Sequence, residues 1–301
     1  MGEVLNRVRA QLNFDPRAVG LRLRSNRILE GGHTSLQFGR SDDFVDLREY
    51  VIGDDVRDID WKASARSPQL VVRRYVAEKA QEFLLVADTG ANLLATAPSG
   101  ERKRDLALLA LGAVGLIASA QSDKISLVFG DDRGSSIEPG KTGEDHLEQI
   151  LTLLNNTTIE VGNASNIVRQ LEFIAANLDK RYAVYIVCDE PPVTQELVAA
   201  AMAVRARSTI HWLLIEDLDI LGQPGQPDTT DEVLDVATGR ALLTPVVLGH
   251  RVLDAYRRAE AARWAQWQAF TVQLGSPFYR ISATSDIGPA LAQFEQGVRN
   301  A

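Results

Sequence analysis

From about residue 80 onward, short apolar runs alternate with longer stretches in which apolar positions recur every three or four residues. Phe83-Leu-Leu-Val-Ala87 is an unbroken apolar run that stops at Asp88. Lys124–Phe129, Tyr182–Cys188, Thr209–Ile215 and Phe278–Ser282 read the same way, each ending in polar or turn-forming residues. Helical periodicity covers Arg102–Gln121, Asp145–Leu154, Asn166–Leu178, Gln195–Ala206 and His250–Leu274, and a terminal helix follows Ser282. Strands that are apolar on both faces need helices on both faces to cover them. The pattern predicts an α/β fold with a doubly wound, mostly parallel sheet.

Two segments break this rhythm. Residues 217–248 hold Gly222, Pro224, Gly225 and Pro227, then Val233-Leu-Asp-Val, then Ala241-Leu-Leu. The Thr238-Gly239 step between the two apolar runs predicts a β-hairpin inserted after the Ile215 strand. In residues 33–79, Phe44–Tyr50 and Leu70–Val76 alternate like strands around a polar turn, Gly53–Lys62. The organisation expected is a basic helical segment over 1–32, a β-rich segment over 33–79 and the α/β domain over 80–301. The most apolar stretch, Leu106–Ala118, is too short to span a bilayer. It reads as a buried helix whose Gly112 and Gly115 let it lie close against the sheet.

Composition narrows the function classes. The chain has 301 residues, 45% of them hydrophobic and 24% charged, which is an ordinary globular balance. Cys188 is the single cysteine, so no intramolecular disulfide forms. A net charge of −8 argues against nucleic acid as a partner, since phosphate backbones demand a basic surface. The first forty residues run the other way, with Arg7, Arg9, Arg17, Arg22, Arg24, Arg27 and Arg40 against Glu3, Asp15 and Glu30. Such a stretch is either a solvated helix face or a peripheral contact with an anionic membrane. The N-terminus has no apolar leader, and the expected location is cytoplasmic.

Most catalytic patterns are absent: there is no G-x-S-x-G, H-E-x-x-H, G-x-G-x-x-G or paired-cysteine metal spacing. Gly134-Ser-Ser-Ile-Glu-Pro-Gly-Lys141-Thr142 looks like a phosphate-binding loop, but five residues stand where four are needed, and Pro139 lacks an N–H. It reads as a polar turn after a strand. Asp88 and Asp189 each end an apolar strand, and in an open parallel sheet those ends face the ligand crevice. With oxygens from Asn92 and Ser165 they make a candidate Mg²⁺ site. The alternative is that both aspartates cap the turns that follow.

The block Phe44-Val-Asp-Leu-Arg48-Glu49-Tyr50-Val-Ile-Gly53-Asp54-Asp55-Val-Arg57-Asp-Ile-Asp60-Trp61-Lys62-Ala-Ser-Ala-Arg66 closely resembles the signature of the domain of unknown function 58 family, in which it precedes a von Willebrand factor A-like domain. The likeness includes the strand ending in Asp88 and the Val233–Gly239 hairpin and runs from about residue 33 to the C-terminus. The resemblance implies a von Willebrand A-like (Rossmann-like) sheet. It also implies a non-enzymatic protein-interaction role, as adaptor or chaperone-like partner of a MoxR-type AAA+ ATPase with a client protein. The enzymatic alternative is a Mg²⁺-dependent NTPase or phosphohydrolase using Asp88 and Asp189.

The metal motif that the resemblance implies, D-x-S-x-S with a Thr and an Asp from later loops, is degenerate here. Gly90 brings no ligand, Asn92 brings an amide, and the Thr position falls at Ala164 or Ser165. The expectation is no cofactor, or weakly bound Mg²⁺. Within the signature, Arg48, Glu49, Tyr50, Gly53, Asp54, Asp55, Arg57, Asp60, Trp61, Lys62 and Arg66 form either a structural clamp, with Trp61 buried as its apolar anchor, or a docking face.

Overall fold

A computed structural model describes residues 2–12, 44–51, 56–75, 82–157, 163–218, 233–234, 236, 241–242 and 250–297. The chain divides into two compact units, residues 30–80 and residues 1–29 with 81–301.

The larger unit is built on six strands: β3 (Glu82–Asp88), β4 (Lys124–Asp131), β5 (Gly134–Lys141), β6 (Ala183–Cys188), β7 (Thr209–Ile215) and β10 (Phe278–Ile281). Their order is β10-β7-β6-β3-β4-β5. All neighbours are parallel except β5, which pairs antiparallel with β4. The expected mostly parallel sheet is therefore present. The Gly134–Lys141 segment, expected as a polar turn, is instead this antiparallel edge strand. Pro139 is tolerated there because an edge strand leaves one row of N–H groups without a ladder partner.

Alternate side chains of each strand feed two separate cores. Phe83, Leu85, Ala87, Tyr185 and Val187 face one side, under α1 (Glu3–Gln11), α3 (Lys103–Ala120), α4 (Glu144–Asn156) and α8 (Thr284–Gly297). Leu84, Val86, Val184, Ile186 and Trp212 face the other, under α5 (Ile167–Asn177), α6 (Gln195–Arg205) and α7 (His250–Leu274). Side chains that alternate by a period of two, apolar on both faces, require this sandwich.

Helix α3 is buried along Leu106–Ala118, as its all-round apolarity demands. Its glycines do not face the sheet. A Cβ on Gly112 would lie 2.8 Å from Val8 Cγ1 of α1, and one on Gly115 would overlap Leu147 of α4. The glycines thus admit two neighbouring helices. The N-terminal helix belongs to this same unit: Val4, Leu5 and Val8 are buried in its core, while Arg9 pairs with Glu144. The apolar face of α1 is consequently spent inside the protein. The remaining basic residues of the N-terminal segment, Arg17 to Arg40, lie outside the described residues.

In the smaller unit, β1 (Phe44–Glu49) pairs antiparallel with β2 (Val71–Tyr75). Between them a short 3-10 turn, Val56–Asp58, leads into α2 (Trp61–Ser64). Asp60 is the N-cap of α2, accepting from the Lys62 and Ala63 N–H groups at 3.0 Å each. The β8 (Val233–Leu234) and β9 (Ala241–Leu242) pair forms a separate antiparallel hairpin, where the sequence places one. The Thr238-Gly239 step expected as its turn lies outside the described residues.

Candidate functional site

The chain leaves β3 toward β4 on one side of the sheet and leaves β6 toward β7 on the other, so β3 and β6 are the neighbours between which the winding reverses. In open parallel sheets the carboxyl ends of such a pair are where ligands bind, and here both end in an aspartate, Asp88 on β3 and Asp189 just past β6. The sequence reading of two carboxylates at the ends of adjacent parallel strands matches this topology.

Asp88 is 2% exposed and accepts from the Gly90 N–H at 2.8 Å. Its pKa is raised to about 6, chiefly by burial, with smaller contributions from the Asp189 and Asp131 charges. The Ser165 hydroxyl, itself buried, is near enough to pull that pKa back, although it lies outside hydrogen-bonding geometry. Of the two positions open for a second-loop hydroxyl, Ser165 is the one that faces the carboxylate. That loop is stitched to its neighbours by the backbone: Ala91 N–H donates to Asn163 O at 2.8 Å and Asp132 N–H to Ala164 O at 3.0 Å.

Asp189 is differently supplied. Its Oδ2 accepts from the Asn92 amide nitrogen at 2.7 Å. Asn92, read from sequence as an oxygen donor to a metal, therefore presents N–H to the second aspartate. Asp189 Oδ1 accepts from Lys103 Nζ, which also donates to Asp217 Oδ1 at 2.7 Å. Lys103 has no solvent exposure. Burial opposes its charge, but Asp189 and Asp217 outweigh that and hold the ammonium above the ordinary lysine range.

The donor set at this edge does not fit Mg²⁺. Mg²⁺ demands near-octahedral oxygen ligands, whereas both Asp189 oxygens already receive N–H donors, one of them from a cation. Among the described residues no group of three or more His, Cys, Asp and Glu side chains is arranged to hold a metal. Asp88 lies within electrostatic reach of Ser165 and Asp189, Asn92 donates to Asp189, and Asp189 is itself paired with a lysine. Lys103 was missed by the sequence reading. The signal was the run Arg102-Lys103-Arg104 at the N-terminus of an apolar helix, where cations oppose the helix dipole and need a reason to be.

The other side chains weighed for chemistry are structural. Cys188 is buried, and burial, aided by Asp88 and Asp189, pushes its thiol well above the usual range, away from thiolate chemistry. His146 Nε2 meets the Ile125 carbonyl at 2.9 Å, and His211 stacks on Tyr185. Lys141 ends an edge strand and belongs to no N–H cradle.

In the signature block, Trp61 corrects the expectation. It is 63% exposed at the start of α2, rather than buried as an anchor. Val51 and Val56 are exposed beside it in sequence, at 61% and 57%. Glu49, Arg57, Lys62 and Arg66 are exposed and Tyr50 is half-buried. Among the described residues of this unit, Ile59 and Val72 are the buried hydrophobic side chains, and their backbones form a β-bridge. Gly53, Asp54 and Asp55, and the side chain of Arg48, lie outside the described residues.

The sequence profile of the family described as "Protein of unknown function DUF58" matches residues 46–221. "Uncharacterized protein Rv1480" of Mycobacterium tuberculosis and "Uncharacterized protein Mb1516" of Mycobacterium bovis are each 26% identical over 262 residues, covering 86% of this chain and 80% of theirs. Among solved structures, proximal thread matrix protein 1 of the mussel byssus aligns at a TM-score of 0.41 and 10% identity, over 72% of this chain and 47% of that one. The PilB minor pilin of Streptococcus sanguinis aligns at 0.43 and 6% identity, over 77% and 66%.

Proposed function

This chain belongs to the DUF58 family, and on that footing we propose that it is a non-enzymatic protein-interaction module, a von Willebrand A-like domain carrying a signature block that docks a MoxR-type AAA+ ATPase. The observation that carries the reading is the exposure of Trp61. A tryptophan open to water and flanked in sequence by Asp60 and Lys62 has the composition of an interface centre with a polar rim. Asp60 supports this, because capping α2 fixes the backbone that presents Trp61. The carboxylate edge is filled by the chain's own ammonium, which favours a scaffold role for the sheet over Mg²⁺ chemistry there.

Calorimetry with a purified MoxR-type ATPase, measured beside thermal melts, tests the proposal. The wild type binds, and Trp61→Ala loses at least about tenfold in affinity, a loss typical of an interface hot spot, with its melting temperature kept. A Trp61→Ala protein that melts early but retains its affinity makes the block a clamp and defeats the docking reading. No binding by the wild type defeats it as well.

A further inference from the structure

Three N–H donors converge on two carboxylates at the sheet edge, and their source is unusual. Lys103 is the first residue of α3, where the helix dipole is positive and a cation is disfavoured. It is nevertheless wholly buried, and its ammonium bridges Asp189, from the loop after β6, to Asp217, from the loop after β7. Asn92, from the loop after β3, turns its amide nitrogen to the remaining oxygen of Asp189. One lysine and one amide thus tie together the loops following three strands of the sheet.

We infer that the Lys103 ammonium is the resident cation of this edge, taking the place that a divalent metal ion would occupy, with Asp217 as the acidic ligand that the chain supplies to it from its own next loop. The inference stands on this geometry and goes beyond the docking reading, which concerns the other unit. A divalent ion entering here would meet a fixed positive charge in a setting of low dielectric, where repulsion at a few ångströms is strong. It would also have to displace N–H donors from both oxygens of Asp189. Removing the ammonium while keeping the carboxylates reverses both conditions. Asp189 and Asp217 are then two anionic oxygen ligands without a counter-charge, near Asp88 and the Ser165 hydroxyl, and hard oxygen ligands of that kind suit Mg²⁺ and Mn²⁺.

The test is a Mn²⁺ titration of the full chain followed by electron paramagnetic resonance. Wild type is expected to show no saturable binding. Lys103→Ser is expected to bind one Mn²⁺ per chain at least about tenfold more tightly than wild type, the scale on which changes around a metal site move affinity. Its melting temperature should rise with added Mn²⁺, and Lys103→Ser/Asp189→Asn should lose both effects. Saturable Mn²⁺ binding by the wild type that Asp189→Asn abolishes overturns the inference, and so does a folded Lys103→Ser that gains no affinity. If Lys103→Ser does not fold, lysine side-chain nitrogen spectra of the wild type decide. A slowly exchanging Lys103 ammonium signal that persists in excess Mg²⁺ supports the inference, and its displacement by Mg²⁺ overturns it.

Discussion

Gly90 and Ser165 approach each other so closely across the first and second loops that a Cβ on the glycine would run into the Ser165 backbone. The glycine's φ of −78° is ordinary, so what is demanded here is space and not an unusual backbone conformation. The position that withholds a hydroxyl from a metal motif is thus one where no side chain fits.

Gly90→Ser, which would restore the motif in writing, is therefore expected to destabilise the protein by about 1–3 kcal/mol, the range for forcing atoms into a packed site. The obstacle is backbone and cannot swing away. Urea unfolding of the variant measures this, and a Gly90→Ser protein as stable as wild type would show that the two loops separate easily.

Val8 has no exposure and faces Gly112 across the α1–α3 contact. Val8→Asp places an unpaired carboxylate in the core and should cost more than about 3 kcal/mol. Arg9→Glu alters an exposed ion pair with Glu144 and should cost less than about 1 kcal/mol. Denaturant midpoints of the two variants, compared with wild type, check the contrast. Equal effects would mean that α1 is held by its charges and not by its apolar face.

Glu190 brings a pH dependence. Burial is the main cause that raises its pKa from 4.5 to about 7, with the nearby Glu216 charge adding and the Arg263 partner at 3.0 Å opposing. Below pH 4.5 the group is protonated in both folded and unfolded chains. Between 4.5 and 7 the folded chain holds a proton that the unfolded chain has released, so stability falls as pH rises through this window and levels above it. One bound proton is worth about 1.4 kcal/mol for every pH unit crossed, so the loss over the window is on the order of 3 kcal/mol. Glu190→Gln should remove this slope, and the difference between the wild-type and variant unfolding curves from pH 4.5 to 8 isolates it. Parallel curves would sink the assignment.

Lys141 sits exposed at the end of the antiparallel edge strand. Lys141→Ala should shift stability by no more than about 0.5 kcal/mol, as surface changes do. ATP and GTP titrations of wild type and variant should give the same baseline heat. Binding by the wild type that Lys141→Ala abolishes would restore the phosphate-loop reading.

The strands were legible because each is a local pattern. Phe83–Ala87 and Ala183–Cys188 are short, continuously apolar and closed by polar residues, Thr209–Ile215 is mostly apolar, and none needed a partner to be recognised. The carboxylates at their ends followed from direction alone, since a parallel strand delivers its last residue to one edge. Segment 134–141 was misread because its Gly and Pro content is turn-like; only pairing with β4 made it a strand. Gly112 and Gly115 were legible as places of close approach, but not for which neighbour, because a helix does not announce what lies on each of its faces. Trp61 was expected to be buried against the α/β domain because an indole among so many charges is an apolar liability, yet it is exposed at the start of α2, and local sequence does not say which side chains a small unit turns outward.

The order of residues by itself determined most element types, the α/β class, the mostly parallel sheet and the two aspartates at its edge, because periodicity and strand direction are properties of the chain taken a few residues at a time. Only the tertiary structure decided what those aspartates hold. Lys103 is 86 residues from Asp189 and 114 from Asp217, and nothing local joins them. Their meeting depends on the sheet order that brings the ends of β6 and β7 together and on the first residue of α3 reaching both loops. Burial and charge pairing at such separations are set by the packed whole, and so the cation of this site came from a helix terminus that the linear motif never touched.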